Sequence, residues 1–145
     1  MRRALLTLLL LCSLLGPILA GQQTVVLVVR VDSSVTDLDS IAVRKLFLGL
    51  PVLINGKPLH PVRNRTDPQL DEIFLQQIVA MSQSAYDRQV LIALNRQGSI
   101  RPAEVTAQTR ALQTLYDDPN AVTFMWLRDV AQDPRVRVIR VLWSD

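Results

Sequence analysis

The sequence predicts one α/β domain, a mixed sheet flanked by helices, and three observations carry that expectation. Thr24 to Val31, TVVLVVRV, is a nearly continuous β-branched run, the pattern of a strand covered on both faces and therefore sandwiched by helices. The middle of the chain, from Thr66 to Tyr116, repeats apolar residues at helical spacing behind residues that cap helices. Two further strand-like runs, Ala121 to Trp126 and Val136 to Trp143, then close the sequence, so a helical middle is bracketed by strands.

Ahead of the domain, Met1-Arg2-Arg3 runs into an apolar stretch from Ala4 to Leu15, and Gly16-Pro17-Ile18-Leu19-Ala20 offers a small residue before Gly21. This reads as a secretory signal peptide, residues 1–20, cleaved near Ala20, with the domain spanning 21–145. The apolar run is shorter than the roughly 20 residues of a spanning helix and no second one follows, so the expected product is periplasmic or secreted and not membrane-spanning. Lipid attachment at Cys12 is the competing reading, disfavoured because Leu11 is large and the apolar run continues past it.

Each element has its signal. Asp32-Ser33-Ser34 ends the first strand, and Asp37 or Asp39 caps a helix carrying Ile41, Ala42, Leu46 and Phe47, stopped by Gly49 and Pro51. Pro51 to Val62 has Asn55-Gly56 between apolar flanks, a hairpin signal, with Pro58 and Pro61 making the second arm an edge or irregular strand. Thr66-Asp67-Pro68 starts a helix with Leu70, Ile73, Phe74, Ile78 and Met81 along it. Ser82 or Ser84 starts another, with Tyr86, Val90, Leu91 and Leu94 on one side. A third is expected from Pro102, burying Val105, Leu112, Leu115 and Tyr116, and stopping at Asp117 to Asn120. After AVTFMW and a short polar excursion, VRVIRVLW alternates arginine with apolar residues, predicting a last strand with one face to water.

Composition narrows the function. Cys12 is the only cysteine and leaves with the leader, which excludes a disulfide and a cysteine-based metal site in the mature chain. The formal net charge is +3, of which Arg2 and Arg3 supply two, and aromatic residues are only 5%. With basic residues scattered and few rings on which bases could stack, nucleic acid is not an expected partner.

No catalytic constellation is visible, and the expectation is that the protein is not an enzyme. His60, the one histidine, lies between Leu59 and Pro61 in the hairpin arm with no cysteine nearby, and Ser82 and Ser84 read as caps. The chain has no G-x-S-x-G, H-E-x-x-H or glycine-rich phosphate loop. Asp117-Asp118 reads as a turn, and Asp71-Glu72 as acidic residues complementing a helix dipole, so no metal and no cofactor are expected.

The segment with the most chemistry is Arg63-Asn64-Arg65-Thr66-Asp67-Pro68-Gln69, leading from a strand into a helix N-terminus. Free N–H groups there, with Arg63, Asn64, Arg65, Thr66 and Gln69 around them, would hold a phosphate, sulfate or carboxylate. Alternatively, Asp67 caps the helix, so that its own carboxylate takes those N–H groups and repels an anion.

In order and spacing the chain resembles the substrate-binding proteins of phosphate ABC transporters, in the type II periplasmic binding-protein group. The likeness rests on VVLVVRV, LDSIAVRKLFLG, INGKPLHPV and DPNAVTFM, which match the family's apolar strand, its helix ending in Ile-Phe-x-Gly, its Asp-Gly turn with Pro-Val, and its Pro-Gly-Ala-Ile-Gly-Tyr strand. The resemblance implies a single three-layer lobe of that fold, where the full family members close two lobes over a ligand. It also implies a phosphate loop of Glu/Asp-Gly-Ser followed three positions later by Arg. Counting back from Phe74, the glycine falls on Asp67, the serine on Pro68 and the arginine on Asp71; the family's last Gly-Tyr falls on Thr123-Phe124. A carboxylate, a proline without N–H and an acid stand where the family has its anion-holding groups. The expected function is a substrate-binding-like protein with weakened or lost phosphate capture, acting through an envelope membrane protein such as a transporter or sensor. The alternative is a genuine anion-binding protein using the helix end at 66–69.

Overall fold

The computed structural model describes residues 23–145; the signal peptide expected at residues 1–20 lies outside them. Strand β1, Thr24–Arg30, is followed by helix α1, Ser40–Phe47, and a two-residue hairpin of β2, Leu53–Ile54, and β3, Lys57–Pro58. Strand β4, His60–Asn64, leads to α2, Pro68–Ile73, which continues as one π-helical turn over Phe74–Ile78. Then come α3, Gln83–Ala93; β5, Ala103–Val105; α4, Gln108–Asp117; β6, Ala121–Trp126; α5, Leu127–Val130; and β7, Val136–Ser144.

The main sheet has the order β5-β4-β6-β1-β7. β4 runs parallel to both β5 and β6, whereas β1 is antiparallel to β6 and β7. Each parallel return is made through helices, as parallel pairing requires. The sheet has a core on either face. One packs Val25, Leu27, Val29, Val122 and Phe124 against Phe47, Leu70, Phe74 and Tyr86 from α1, α2, the π turn and α3. The other packs Val26, Val28, Val62 and Met125 against Ala111 and Leu115 of α4 and Val130 of α5. The domain is thus a three-layer α/β lobe, and β1, buried on both faces, has the setting its β-branched run predicts.

Asp39, not Asp37, caps α1, accepting Ala42 N at 2.7 Å, and Ser82, not Ser84, caps α3, accepting Ala85 N at 3.2 Å. Asn55 and Gly56 both take positive φ, 51° and 74°, the two left-handed residues of a tight hairpin turn. The first and last described residues are clasped together: Gln23 N donates to the Asp145 carboxylate at 2.7 Å, and Asp145 N to Gln23 O at 3.1 Å.

Four expectations are corrected. The hairpin closes after Pro58, and the chain beyond it enters β4, an interior strand and not an edge. Pro61 is tolerated there because β5 joins β4 only from Val62 onward. The helix from Pro68 ends before Met81: the π turn shifts the register, Val79 N bonds to Phe74 O, and Ala80 takes φ 54°. No helix begins at Pro102; Ala103–Val105 is strand β5, because Arg65 N takes Val105 O at 2.8 Å and β4 pairs along it. Sheet pairing there overrides the helical pattern, and the helix starts at Gln108. In β7 two bulges reset the alternation, so Val138 and Val141 face water while Arg137 and Arg140 fold onto the 33–37 loop. The polar excursion before β7 is the short helix α5.

Candidate functional site

The polar residues singled out by sequence cluster where β4 ends and α2 begins. Arg63 is 0% exposed. Its guanidinium lies between two rings, 4.8 Å from the Phe74 centroid and 4.7 Å from that of Tyr86, a doubled cation–π contact. Its Nε and Nη2 donate to Asp71 Oδ1 at 3.1 and 2.7 Å, and Nη2 also donates to Gln83 Oε1 at 2.7 Å. Its Nη1 makes no hydrogen bond but stands 3.6 Å from Glu104 Oε1.

Arg65, at the surface, completes the arrangement. Its Nε donates to Asp71 Oδ2 at 3.2 Å and its Nη1 to Glu104 Oε2 at 3.3 Å. Arg63 and Arg65 therefore share the same two carboxylates, and the quartet is neutral. Burial works to lower the Arg65 pKa, but Asp71 and Glu104 outweigh it and the group is held above its ordinary value.

The other sequence candidates also bond within the protein. Asn64 Nδ2 donates to Phe124 O at 3.0 Å, and its Oδ1 accepts both Thr66 N and Thr66 Oγ1, at 3.1 and 2.7 Å. Gln69 Nε2 donates to Gln23 Oε1 at 2.8 Å.

The end of α2 itself is filled by its own chain. Asp67 Oδ1 accepts Gln69 N at 2.8 Å and Leu70 N at 3.4 Å, and its Oδ2 accepts the indole Nε1 of Trp126 at 2.9 Å. Pro68, at the first helical position, has no N–H to offer. Burial raises the Asp67 pKa, but the bonds from Trp126, Gln69 and Leu70, with Arg128 nearby, win and hold it below its ordinary value. Asp67 is thus an ionised carboxylate where an incoming anion would have to sit.

Arg63, Asn64, Arg65, Thr66 and Gln69 lie together as neighbours in the chain, and the sequence does not show the partners that occupy them. Asp71 was visible as a first-turn acid, and its spacing of eight from Arg63 carries no signal. Gln83, Glu104 and Trp126 reach the site from α3, β5 and β6, contacts fixed by topology alone. Among the described residues, no group of three or more His, Cys, Asp or Glu could hold a metal ion, and no helix is long and apolar enough to cross a membrane.

Solved structures share this fold. A putative phosphate ABC transporter substrate-binding protein with bound phosphate from Clostridium perfringens superposes with a TM-score of 0.63 at 13% identity, over 83% of this chain and 45% of that one. A possible phosphate-binding protein from Planctomyces limnophilus gives 0.60 at 10% identity, covering 83% and 42%. An ABC-type phosphate transport receptor from Vibrio cholerae gives 0.52 at 16% identity, covering 83% and 46%. No protein-family model matches the chain, and no curated protein is similar to it in sequence. The chain therefore has the fold seen in phosphate ABC transporter substrate-binding proteins, and it spans less than half the length of these neighbours.

Proposed function

We propose that this protein is a periplasmic, non-catalytic substrate-binding-like lobe that has given up phosphate capture at the α2 end and acts through a protein partner in the envelope, such as a transporter or sensor. The observation that carries the reading is Asp67: its carboxylate accepts the helix-end amides and the Trp126 indole, so the place for an oxyanion is taken by a resident anion. The arginines that would offset this charge are neutralised by Asp71, in the first turn, and by Glu104. One lobe also offers a ligand half a cleft, and so buries too little of it for tight binding.

Isothermal titration of the purified protein with phosphate, sulfate and small carboxylates tests this. The expected result is no heat of binding, and micromolar affinity for any of them would defeat it. The competing grip by Arg63, Asn64, Arg65, Thr66 and Gln69 predicts binding that disappears in Arg65→Ala/Thr66→Ala. It is disfavoured because these side chains already bond within the protein.

A further inference from the structure

Helix α1 turns a mixed stripe to solvent. Ile41, Arg44, Lys45 and Leu48 are spaced i, i+3, i+4 and i+7, and Leu48 N still bonds to Arg44 O at 3.0 Å, so all four stay in helical register on one face. The opposite side of the helix buries Val43, Leu46 and Phe47, whereas Ile41, Arg44 and Lys45 are exposed.

A groove runs beside this stripe. Its larger part, about 440 Å³, lies between α1 and the π turn, with Ile41, Leu48 and Ile78 in its lining. A smaller part, about 190 Å³, continues past Ser40, Gln77 and Ile78, which border both, to Val141 and Leu142 of β7. Ile41 is 68% exposed and Val141 58%, against 8% for Ile78, so a recessed apolar floor separates two protruding apolar lips. Arg44 Nε donates to Val79 O at 3.0 Å and ties α1 to the end of the π turn, which leaves the groove formed before anything enters it.

Charge selects the occupant. Arg44, Lys45 and Arg140 line the groove and no carboxylate does. Asp37 offsets Arg140 at 2.9 Å, but Arg44 and Lys45 form no ion pair among the described residues. A second copy docked about a two-fold axis would set these cations against themselves. Residues 1–20 carry Arg2 and Arg3 and no acid, so they match the groove no better. A bilayer surface is too flat to reach the recessed Ile78.

We propose that the groove between α1, the π turn and β7 docks an amphipathic helix of a protein partner, with its apolar side on Ile41, Ile78 and Val141 and its acidic side chains beside Arg44 and Lys45. An apolar residue of that helix set on Ile41 places an acid four residues along opposite Lys45, because Ile41 and Lys45 are themselves four apart. The inference deepens the proposed function and rests on its reading that the partner is a protein; no residue of the α2 end borders the groove.

Fluorescence anisotropy tests it with a labelled synthetic helix of about 18 residues, carrying Leu at i, i+3, i+4 and i+7 and Glu beside them, titrated with the purified protein at low salt. The expected result is saturable binding with a Kd of about 100 µM or tighter. The same peptide with Lys for every Glu binds at least about tenfold more weakly. Ile41→Glu and, independently, Lys45→Glu each weaken the Glu peptide about tenfold, and Lys45→Glu narrows its advantage over the Lys peptide. Both variants keep the parent circular dichroism and urea midpoint, because both residues are exposed, and Leu91→Glu on the exposed side of α3 changes nothing. Failure to saturate by about 1 mM, equal affinity for the two peptides, or indifference to Ile41→Glu and Lys45→Glu overturns the proposal. So does adsorption to phosphatidylglycerol vesicles, or self-association in sedimentation velocity, that Ile41→Glu abolishes, since a bilayer or a second copy would then fill the groove. Heat on titration with phosphate bears on the loss of anion capture alone, whatever the peptides do.

Discussion

The carboxylate of Asp67 accepts the indole N–H of Trp126 at 2.9 Å, tying the start of α2 to the end of β6. The same carboxylate accepts two backbone amides of α2. One side chain thus caps a helix and fastens it to the middle of the sheet.

Replacing it should show both roles. Asp67→Ala is expected to lower the unfolding free energy by about 2 kcal/mol, a cap and a charged hydrogen bond together. Asp67→Ser keeps a capping oxygen but cannot also reach the indole, and should lose about half as much. Urea denaturation checks this: equal losses for the two variants would show that the cap contributes nothing, and an Asp67→Ser variant as stable as the parent would show the same of the Trp126 bond.

The same residue sets an acid dependence. Its folded pKa is held below the ordinary 3.8, so its ionised form stabilises the fold above that value, and the contribution is lost as pH falls through the lowered one. The stability advantage over Asp67→Asn should therefore be full near neutral pH and shrink once pH drops below about 4. Parallel curves of urea midpoint against pH for the two proteins would contradict this.

Arg63 and Asp71 should behave as an unequal pair. Asp71→Ala leaves a fully buried guanidinium without its main acceptor, at an expected cost of about 3 kcal/mol. Arg63→Met should cost less, because the methionine fills the slot between Phe74 and Tyr86 while Asp71 keeps Arg65. Adding Arg63→Met to Asp71→Ala should then regain stability. A double variant worse than Asp71→Ala alone would refute this account of the charge quartet.

Two small residues with left-handed backbone should respond in opposite directions. Ala80, exposed at φ 54°, is expected to gain about 1 kcal/mol as glycine. Gly49, at φ 83°, would place a Cβ 3.2 Å from Ile100 O, so Gly49→Ala should lose more than about 1 kcal/mol. Thermal unfolding midpoints of the two variants decide the signs.

The sequence is legible wherever a local signal settles a local conformation. The β-branched run of β1, the Asn55-Gly56 turn, Asp67 as a cap and Pro68 behind it all stand where their chemistry puts them. It is less legible where pairing decides. Ala103–Val105 looked like the start of a helix, and only the parallel edge of β4 makes it a strand. The bulges of β7 invert which of its residues meet water, although the strand itself was plain. At the site, Arg63 and Arg65 could be read as anion donors because Glu104 and Gln83 are distant in sequence. Once β5 and α3 bring those two alongside, the arginines are engaged and one is sealed from solvent.

The mutual clasp of Gln23 and Asp145 makes the domain effectively a ring of chain. A circular permutant joined across this corner by a short linker and opened at the exposed Asn55-Gly56 turn would keep every strand of the main sheet beside its present neighbours.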